Sequence, residues 1–303
     1  MGKIIWLASY PKSGNTWLRL FLYAYFRLDP TKGEAIDFGD PALRDFSVQD
    51  VQPRWWRPLL GKDPIDASPD ELALKRREAQ ASIAASAPGL VFAKTHNAFI
   101  ADRGVPNIAP ETTAGAFYVV RNPLDVVVSS KDHFGIPTID LAIQQLNAPD
   151  FRLGGSGGKA ANLLGSWSQH VESWAGRPRN GIFTLRYEDM LEDPTTVFGW
   201  VIGRLGHQVD PDRLAFAVAA TRFDRMRTLE DRTGFEETSR YGERFFRRGV
   251  AGGWREAMTI GHARRVVEAN HAMMERFGYL DERLARLRPK NRDKRKAGAK
   301  GRR

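Results

Sequence analysis

The chain has 303 residues, enough to bury a full hydrophobic core as one large domain or two small ones. It contains no cysteine, which excludes disulfides, thiolate nucleophiles and thiolate metal sites. No apolar run is long enough to span a bilayer, and Pro11, Lys12 and Ser13 interrupt the first apolar stretch too early for a signal peptide, so we expect a cytoplasmic protein.

The net charge of +10 is concentrated at the carboxyl end. Residues 286–303 contain ten lysines and arginines and one acid, Asp293, so this segment carries +9 and the rest of the chain is almost neutral. We therefore predict one domain over 1–285 and a disordered basic tail over 286–303. The tail could contact nucleic acid or an anionic lipid surface, but a solvated, solubilising end is the simpler interpretation.

Short apolar strands alternate with helical segments, which predicts an α/β fold with a parallel sheet flanked by helices. The first strand is "KIIWLAS", and a helix follows from Ser13 to about Phe26. After a loop rich in Asp, Pro and Gly, a further helix begins at Ser68, which forms a capping box with Glu71. The second and third strands are "GLVFAKTH" and "AGAFYVVR".

The same alternation continues in the second half. "NPLDVVVSS" begins a helix capped by Asn122, and "GIFTLRYED" is a further strand with a capped helix after it at Asp193. A long helix is predicted from Ile260 to Phe277, ending at Gly278. The glycine-dense "LGGSGGKAA", residues 153–161, lacks the GxxxxGK[ST] spacing of nucleotide triphosphatases and is predicted to be a mobile surface or lid loop.

"YPKSGNTW", residues 10–17, lies between the first strand and the first helix. A helix N-terminus exposes unpaired N–H groups and partial positive charge, so this junction is a natural anion site. Gly14 lets the backbone approach the anion. Four side chains can add hydrogen bonds, those of Lys12, Ser13, Asn15 and Thr16.

A second anion site is predicted at the end of the third strand. Arg121 can grip a phosphate bidentately, and Ser129, two helical turns on, can donate its hydroxyl. The alternative is that Arg121 pairs with Asp125 and Ser129 is ordinary helix surface. "RRG", residues 247–249, offers two more cations and a close backbone approach.

His96 is the candidate general base, because neutral imidazole near pH 7 can accept a proton. It follows an apolar strand, two residues after Lys94, although a lone histidine is more often structural. The other five histidines show no pairing at metal-ligand spacing, so we predict no metal; they are His133, His170, His207, His262 and His271.

Four of these segments together resemble the cytosolic-type sulfotransferases, in the pattern of a bacterial-type member; their donor is 3′-phosphoadenosine-5′-phosphosulfate (PAPS). "YPKSGNTW" resembles their 5′-phosphosulfate loop, "RNPLDVVVSS" their 3′-phosphate segment, "RRGVAGGW" their RKGxxGDW loop, and "KTH" the strand end with the catalytic histidine. Weaker matches are "GSWSQHVESW", "RYEDM" and "TRFDRM". The resemblance runs in the expected order from about residue 3 to residue 278.

The resemblance implies a P-loop-nucleotide-kinase-like sulfotransferase fold and metal-free transfer from PAPS by in-line displacement. It implies that His96 is the base, that Lys12 stabilises the charge on the bridging oxygen, and that Lys94 helps to orient the sulfonate or the acceptor. It also implies that Ser129 contacts Lys12 before the acceptor binds. The donor-binding residues it implies are Lys12, Ser13, Gly14, Asn15, Thr16, Trp17, Arg121, Ser129, Tyr187, Thr221, Phe223, Arg247, Arg248 and Gly249. The aromatic residues of this set could surround adenine or simply belong to the core.

Departures from the family pattern mainly affect the acceptor. Gly253 replaces the aspartate of RKGxxGDW, and Arg248 replaces its lysine. We place acceptor selection in residues 38–60, where "RWWRPLL" could line a pocket or simply pack, and in residues 134–164. A phenol, an alcohol on a lipid, an amine or a sugar hydroxyl all remain open, as does a homodimer.

Three other hypotheses compete with a PAPS-dependent enzyme. A P-loop kinase would need the GxxxxGK[ST] loop and a magnesium-binding acid, which we do not find. A nucleic-acid-binding protein would rest on the basic tail alone. A third alternative is a donor-binding fold without catalysis.

Overall fold

The protein is built around a five-stranded parallel sheet. The computed structural model describes residues 2–155, 157–242 and 244–287. The sheet strands are β1 (Lys3–Ser9), β2 (Ser47–Gln49), β3 (Leu90–Thr95), β6 (Thr113–Val120) and β9 (Ile182–Arg186), and their spatial order is β2-β3-β1-β6-β9. Two short antiparallel pairs accompany it, β4 (Ala101–Asp102) with β5 (Val105–Pro106) and β7 (Arg152–Leu153) with β8 (Asn162–Leu163).

Helices cover both faces of the sheet. The first half contains α1 (Asn15–Arg27), α2 (Pro41–Phe46), α3 (Pro53–Leu60), α4 (Pro69–Ala84), α5 (Pro123–His133) and α6 (Ile139–Asn147). The second half contains α7 (Trp167–Ala175), α8 (Tyr187–Glu192), α9 (Pro194–Arg204), α10 (Pro211–Ala220), α11 (Phe223–Thr233), α12 (Trp254–Ala257), α13 (Ile260–Arg276) and α14 (Glu282–Ala285). No helix in the described ranges is both long and apolar enough to cross a membrane.

Two hydrophobic cores lie on opposite faces of the sheet. Alternate residues of β1 belong to different cores: Trp6 packs in the core that includes residues of α4, α7 and α13, and Leu7 in the one that includes residues of α1, α9 and α10. Because both faces are covered, β1 is buried almost throughout, which explains its unbroken apolar run.

The topology fixes where a ligand can bind. β1 is the central strand, with β3 parallel to it on one side and β6 on the other. The strand order therefore reverses at β1, which makes the carboxyl end of β1 a topological switch point. Crevices beyond the carboxyl ends of parallel strands at such a switch point are the usual ligand sites of open α/β sheets. The "YPKSGNTW" junction, His96 and Arg121 all follow these three strand ends.

The predicted α/β fold with a parallel sheet is confirmed, and so are several local details. Ser68 and Glu71 form the predicted capping box, while the side chains of Asn122 and Asp193 cap α5 and α9. The long helix α13 is followed by Gly278 at a φ of 69°. These features depend on neighbours within a few residues, which a sequence displays directly.

The prediction of a plain loop between the first helix and Ser68 is wrong. This region contains α2, β2 and α3, and β2 pairs with β3 at the sheet edge. "GLVFAKTH" is therefore the third strand of the sheet in chain order. The indole N–H groups of Trp55 and Trp56 donate to the carbonyls of Gln49 and Asp50, so the "RWWRPLL" tryptophans pack and hold the chain beside the site.

The predicted tail lies outside the described residues except for residues 286 and 287. The division into a domain over 1–285 and a tail over 286–303 stays a prediction.

Candidate active site

A cavity of about 1070 Å³ opens beyond the carboxyl ends of β1, β3 and β6. This volume reaches the upper end of the roughly 300–1,000 Å³ typical of small-molecule sites. Every site residue predicted from the sequence lines it except Ser13, which is completely buried beside it. The structure therefore brings together segments separated by more than 230 residues in the chain, from Lys12 to Gly249.

The turn before α1 has the backbone of an anion-binding loop. Lys12 and Gly14 adopt left-handed φ values of 66° and 102°. The first backbone N–H groups of α1 precede any possible intrahelical acceptor and are free to bind a ligand. The hydroxyl of Ser13 is buried with no partner in the described part of the chain. Since buried polar groups are normally hydrogen-bonded, an unpaired hydroxyl at this position fits a site that binds an anion.

The side chains of Asn15 and Thr16 are less available than the sequence suggests. The amide of Asn15 donates to the carbonyl of Leu7 at 2.7 Å, and the hydroxyl of Thr16 donates to Glu237 at 2.9 Å. Because their side chains already donate elsewhere, Asn15 and Thr16 can bind an anion only through their backbone N–H groups. The predicted contribution of their side chains is not what the structure shows.

Lys12 is a buried ammonium among other cations. Its Nζ lies 4.1 Å from the centroid of the Phe245 ring. Burial, with smaller contributions from Lys94, Arg121 and Arg247, lowers the pKa of Lys12 to about 7, while Glu237 opposes the change. A bound polyanion would restore the charged form, so protonation of Lys12 and anion binding are coupled.

Arg121 links the two predicted anion sites. Its guanidinium donates to the carbonyl of Lys12 at 2.9 Å and to that of Val250 at 3.1 Å, and it stacks 4.3 Å from the centroid of the Tyr187 ring. Its Nε is buried without a partner among the described residues. The alternative pairing with Asp125 is not found.

Asp125 instead fixes the glycine-containing loop after Arg248. Its carboxylate accepts the backbone N–H groups of Gly252 at 2.8 Å and Trp254 at 3.0 Å. Trp254 is the first residue of α12, so this short helix is capped from α5 rather than by its own N-cap residue, Gly253. The loop is thus anchored although Gly253 stands where the family pattern has an aspartate.

The other predicted 3′-phosphate residues are close together, but both arginines already have partners. Arg247 forms an ion pair with Asp132 of α5, and Arg248 pairs with Glu256 at 3.0 Å. The side chain of Ser129 makes no hydrogen bond with a described residue, so the predicted contact between Ser129 and Lys12 is not formed. Its hydroxyl lies free at the cavity wall.

Gly249 is required by both its backbone and its surroundings. It has a φ of 63°, and a Cβ there would lie 2.3 Å from Cδ2 of Phe223. We expect Gly249→Ala to weaken binding of adenosine 3′,5′-bisphosphate (PAP) at least about tenfold in calorimetry, since the loop must move away from Phe223. Gly61→Ala is the matched control, with a φ of 67° and open space around it. It should lower stability by about 1–2 kcal/mol without changing PAP affinity; equal affinity losses in both variants would contradict the prediction.

The residues predicted to contact adenine lie at the cavity wall, and the contacts themselves stay a prediction. Trp17 packs edge-on against Tyr187 at 6.3 Å and Phe198 at 5.4 Å between ring centroids. Phe223 lies against Gly249 at the cavity wall. Thr221 also lines the cavity, but its hydroxyl donates at 2.8 Å to the carbonyl of Ala217 in the preceding helix, so its side chain caps the end of α10.

Contacts with Ser9 and His170 hold His96 in one orientation. Its Nδ1 lies 2.8 Å from the carbonyl oxygen of Ser9, so Nδ1 carries the proton and Nε2 keeps its lone pair. Nε2 of His170 donates to the backbone carbonyl of His96 at 3.0 Å, and Nδ1 of His170 accepts from the hydroxyl of Tyr118. Burial, reinforced by the nearby Lys94 ammonium, lowers the pKa of His96 well below its usual value.

Sequence reasoning missed a buried carboxylate, Glu237, and its partner Arg19. The two form an ion pair at 2.6 Å, and Lys94 lies 3.2 Å from the same carboxylate. Glu237 belongs to the polar run "GFEETS", where nothing shows which acid will be buried. Among the residues that the structure describes, no three histidine or acidic side chains are grouped as metal ligands.

Comparison with known proteins decides the family. The sulfotransferase domain model matches residues 3–278. The chain belongs to the sulfotransferase domain family. It is thus an enzyme of the sulfotransferase class, as the sequence motifs predicted.

This sulfotransferase is similar to characterised relatives over most of its length. Sulfotransferase 2A1 of Rattus norvegicus is 26% identical over 264 residues, which cover 85% of this chain and 79% of the relative. The structure of mouse sulfotransferase SULT7A1 complexed with PAP covers 94% of this chain and 87% of its own, with 20% identity and a TM-score of 0.57. Retinol dehydratase in complex with androsterone and PAP covers 90% and 80%, with 19% identity and a TM-score of 0.61. These structures confirm the predicted sulfotransferase fold.

Proposed function

We propose that this sulfotransferase moves the sulfuryl group of PAPS to a hydroxyl or amine of a small-molecule or lipid acceptor. The observation that carries the proposal is one cavity with two cationic sites and a histidine whose Nε2 is free. One site is the N-terminus of α1 with Lys12, and the other contains Arg121, Arg247 and Arg248. PAPS has phosphates at both ends of an adenosine and needs two such sites.

The reaction is an in-line displacement at sulfur. The acceptor oxygen or nitrogen forms the new bond to sulfur while Nε2 of His96 takes its proton. The bond between sulfur and the bridging oxygen breaks, and its electron pair leaves with PAP. Negative charge grows on that oxygen, where the Lys12 ammonium and the α1 N-terminus stabilise it.

The donor assignment agrees with what similar proteins bind. SULT7A1 and retinol dehydratase were both solved with PAP. In this chain, Trp17, Tyr187 and Phe223 supply aromatic surface for adenine between the two cationic sites.

The acceptor half of the cavity mixes apolar and charged side chains. Val51, Phe134 and Leu153 line it, together with Lys94 and His96. The androsterone complex of retinol dehydratase shows that a protein of this fold can bind a small apolar ligand. We therefore favour a small-molecule or lipid acceptor, while cytoplasmic location and a homodimer stay predictions.

Calorimetry with PAP tests the donor site without knowledge of the acceptor. We expect the wild-type protein to bind PAP and Arg121→Met to bind it about 10²-fold more weakly, because a bidentate charge-assisted contact is lost. Arg225→Met is the matched control, since Arg225 is exposed on α11 and should leave affinity unchanged. Stabilisation by ATP with magnesium but not by PAP would support a kinase instead.

A further inference from the structure

A carboxylate lies inside the cluster of cations that forms the site. Glu237 is in the segment that follows α11, and its side chain is 10% exposed. Its carboxylate accepts from Nη1 of Arg19 at 2.6 Å, Oγ1 of Thr16 at 2.9 Å and Nζ of Lys94 at 3.2 Å. The amide of Gln49 is a weaker fourth neighbour at 3.4 Å.

The carboxylate is fixed from the donor side of the cavity. Arg19 and Thr16 both belong to α1, the helix whose N-terminus is the proposed 5′ site. Arg19 is itself held, because its Nε donates to the hydroxyl of Ser47 at 2.9 Å. Glu237 therefore has little freedom to move, and Lys94 is attached to a fixed anion.

In the described part of the chain, two carboxylates lie near Lys94: that of Glu237, which it contacts at 3.2 Å, and that of Asp50, which accepts hydrogen bonds from Thr95 and Asn97 instead. Its other charged neighbours there are cations. Arg19 from α1 and Lys159 from the segment before β8 disfavour its charged form, and Lys12 and His96 lie in the same cluster. Burial lowers the pKa of the Lys94 ammonium, and Glu237 is the group that opposes this. Without Glu237 the ammonium would lose both its fixed partner and the main support for its charge.

We propose that Glu237 is a positioning residue for sulfuryl transfer: anchored by Arg19 and Thr16, its carboxylate holds the Lys94 ammonium in place two residues from His96. The inference rests on the proposed function, together with the role in orienting the sulfonate or the acceptor that the family resemblance implies for Lys94. A merely structural alternative is that the ion pairs only attach the 234–242 segment to the cavity mouth. The two alternatives predict opposite changes in PAP affinity when the charge of Glu237 is removed.

The test uses three variants of the full chain. Glu237→Gln removes the charge, Glu237→Asp shortens the side chain, and Glu236→Gln removes the same charge from the exposed neighbour. Acetylation of Lys94 by acetic anhydride, followed by peptide mass spectrometry across pH, measures how readily its ammonium loses a proton. Calorimetry gives PAP affinity, and turnover is measured with labelled PAPS and 2-naphthol.

In Glu237→Gln we expect Lys94 to be acetylated several times faster at pH 8, with the half-maximal pH shifted downward. The kcat with 2-naphthol should fall about 10- to 100-fold, while PAP binds equally well or more tightly because a negative charge has left a cationic site. Glu237→Asp should give intermediate acetylation, and Glu236→Gln should match the wild type. Weaker PAP binding with unchanged Lys94 acetylation would favour the structural alternative and overturn the proposal.

The acetylation of Lys94 is measured without a sulfuryl acceptor, so it tests the proposal even if 2-naphthol is not a substrate. If Glu237→Gln lacks a cooperative melting transition, Glu237→Asp decides, and wild-type acetylation of Lys94 in that variant contradicts the proposal. Failure of the wild-type protein to bind PAP would instead contradict the proposed function. The two failures are therefore distinguishable.

Discussion

Replacing His96 with alanine should lower kcat for sulfuryl transfer by about 10³-fold, within the roughly 10²- to 10⁴-fold that a general base contributes. The Ser9 carbonyl holds Nδ1 of His96, so Nε2 is the nitrogen that can take the acceptor proton. Affinity for PAP should stay within about twofold, because the imidazole contributes no charge to the donor site at neutral pH. Labelled PAPS with an acceptor pool from a cell extract measures turnover, and calorimetry measures PAP binding.

The exposed His207 offers a matched control. His207→Ala should retain full turnover. Because burial holds the pKa of His96 well below its usual value, kcat/KM should fall less between pH 7.5 and pH 6 than it would with an ordinary imidazole as the base. Wild-type turnover in His96→Ala would refute the assignment of the base.

Replacing Lys12 with methionine should weaken PAP binding by about 10²- to 10³-fold, as expected for the loss of a buried charge-assisted contact. With the pKa of Lys12 at about 7, the wild-type ammonium is mostly deprotonated at pH 8, and PAP binding should restore its proton. Calorimetry in buffers of different ionisation enthalpy should then show an uptake of nearly one proton at pH 8. Lys12→Met should abolish this uptake.

The same substitution should make the free protein more stable. The pKa of Lys12 is lowered on folding, so the unfolded chain binds more protons, and the resulting penalty is full below pH 7 and shrinks as the pH rises toward 10.5. Lys12→Met removes this penalty and should raise the Tm by a few degrees at pH 7. Lys75→Met, which removes an equal charge outside the cavity, should change neither Tm nor PAP affinity appreciably. Proton uptake that persists in Lys12→Met would contradict the assignment.

The parts of the molecule that were predictable depend on short stretches of chain. The strand, the Lys12 turn and the first turn of α1 follow one another directly, so composition alone indicates a strand, an anion site and a helix. The caps at Ser68 and Asn122 are equally local. His96 could be singled out because it follows directly on a buried strand.

The parts that were missed depend on distant partners. β2 has three residues and forms only because β3, more than 40 residues later, offers its edge. Glu237 is buried by Arg19, 218 residues away, and nothing near either residue indicates this. In the same way, Asp125 follows Arg121 closely in the sequence, but its carboxylate accepts the backbone N–H of Gly252, 127 residues further on.

The position of Arg121 has a consequence for how donor preference can change in this family. One guanidinium bridges the main chain of both loops that we propose bind the nucleotide, so neither loop is an independent module. In the proposed function Arg121 also binds the 3′-phosphate. A change to a donor without that phosphate could therefore not be made by replacing Arg121 alone. The two loops would first need another hydrogen bond to replace those from Arg121 to the carbonyls of Lys12 and Val250. A change of donor would then require at least two substitutions together.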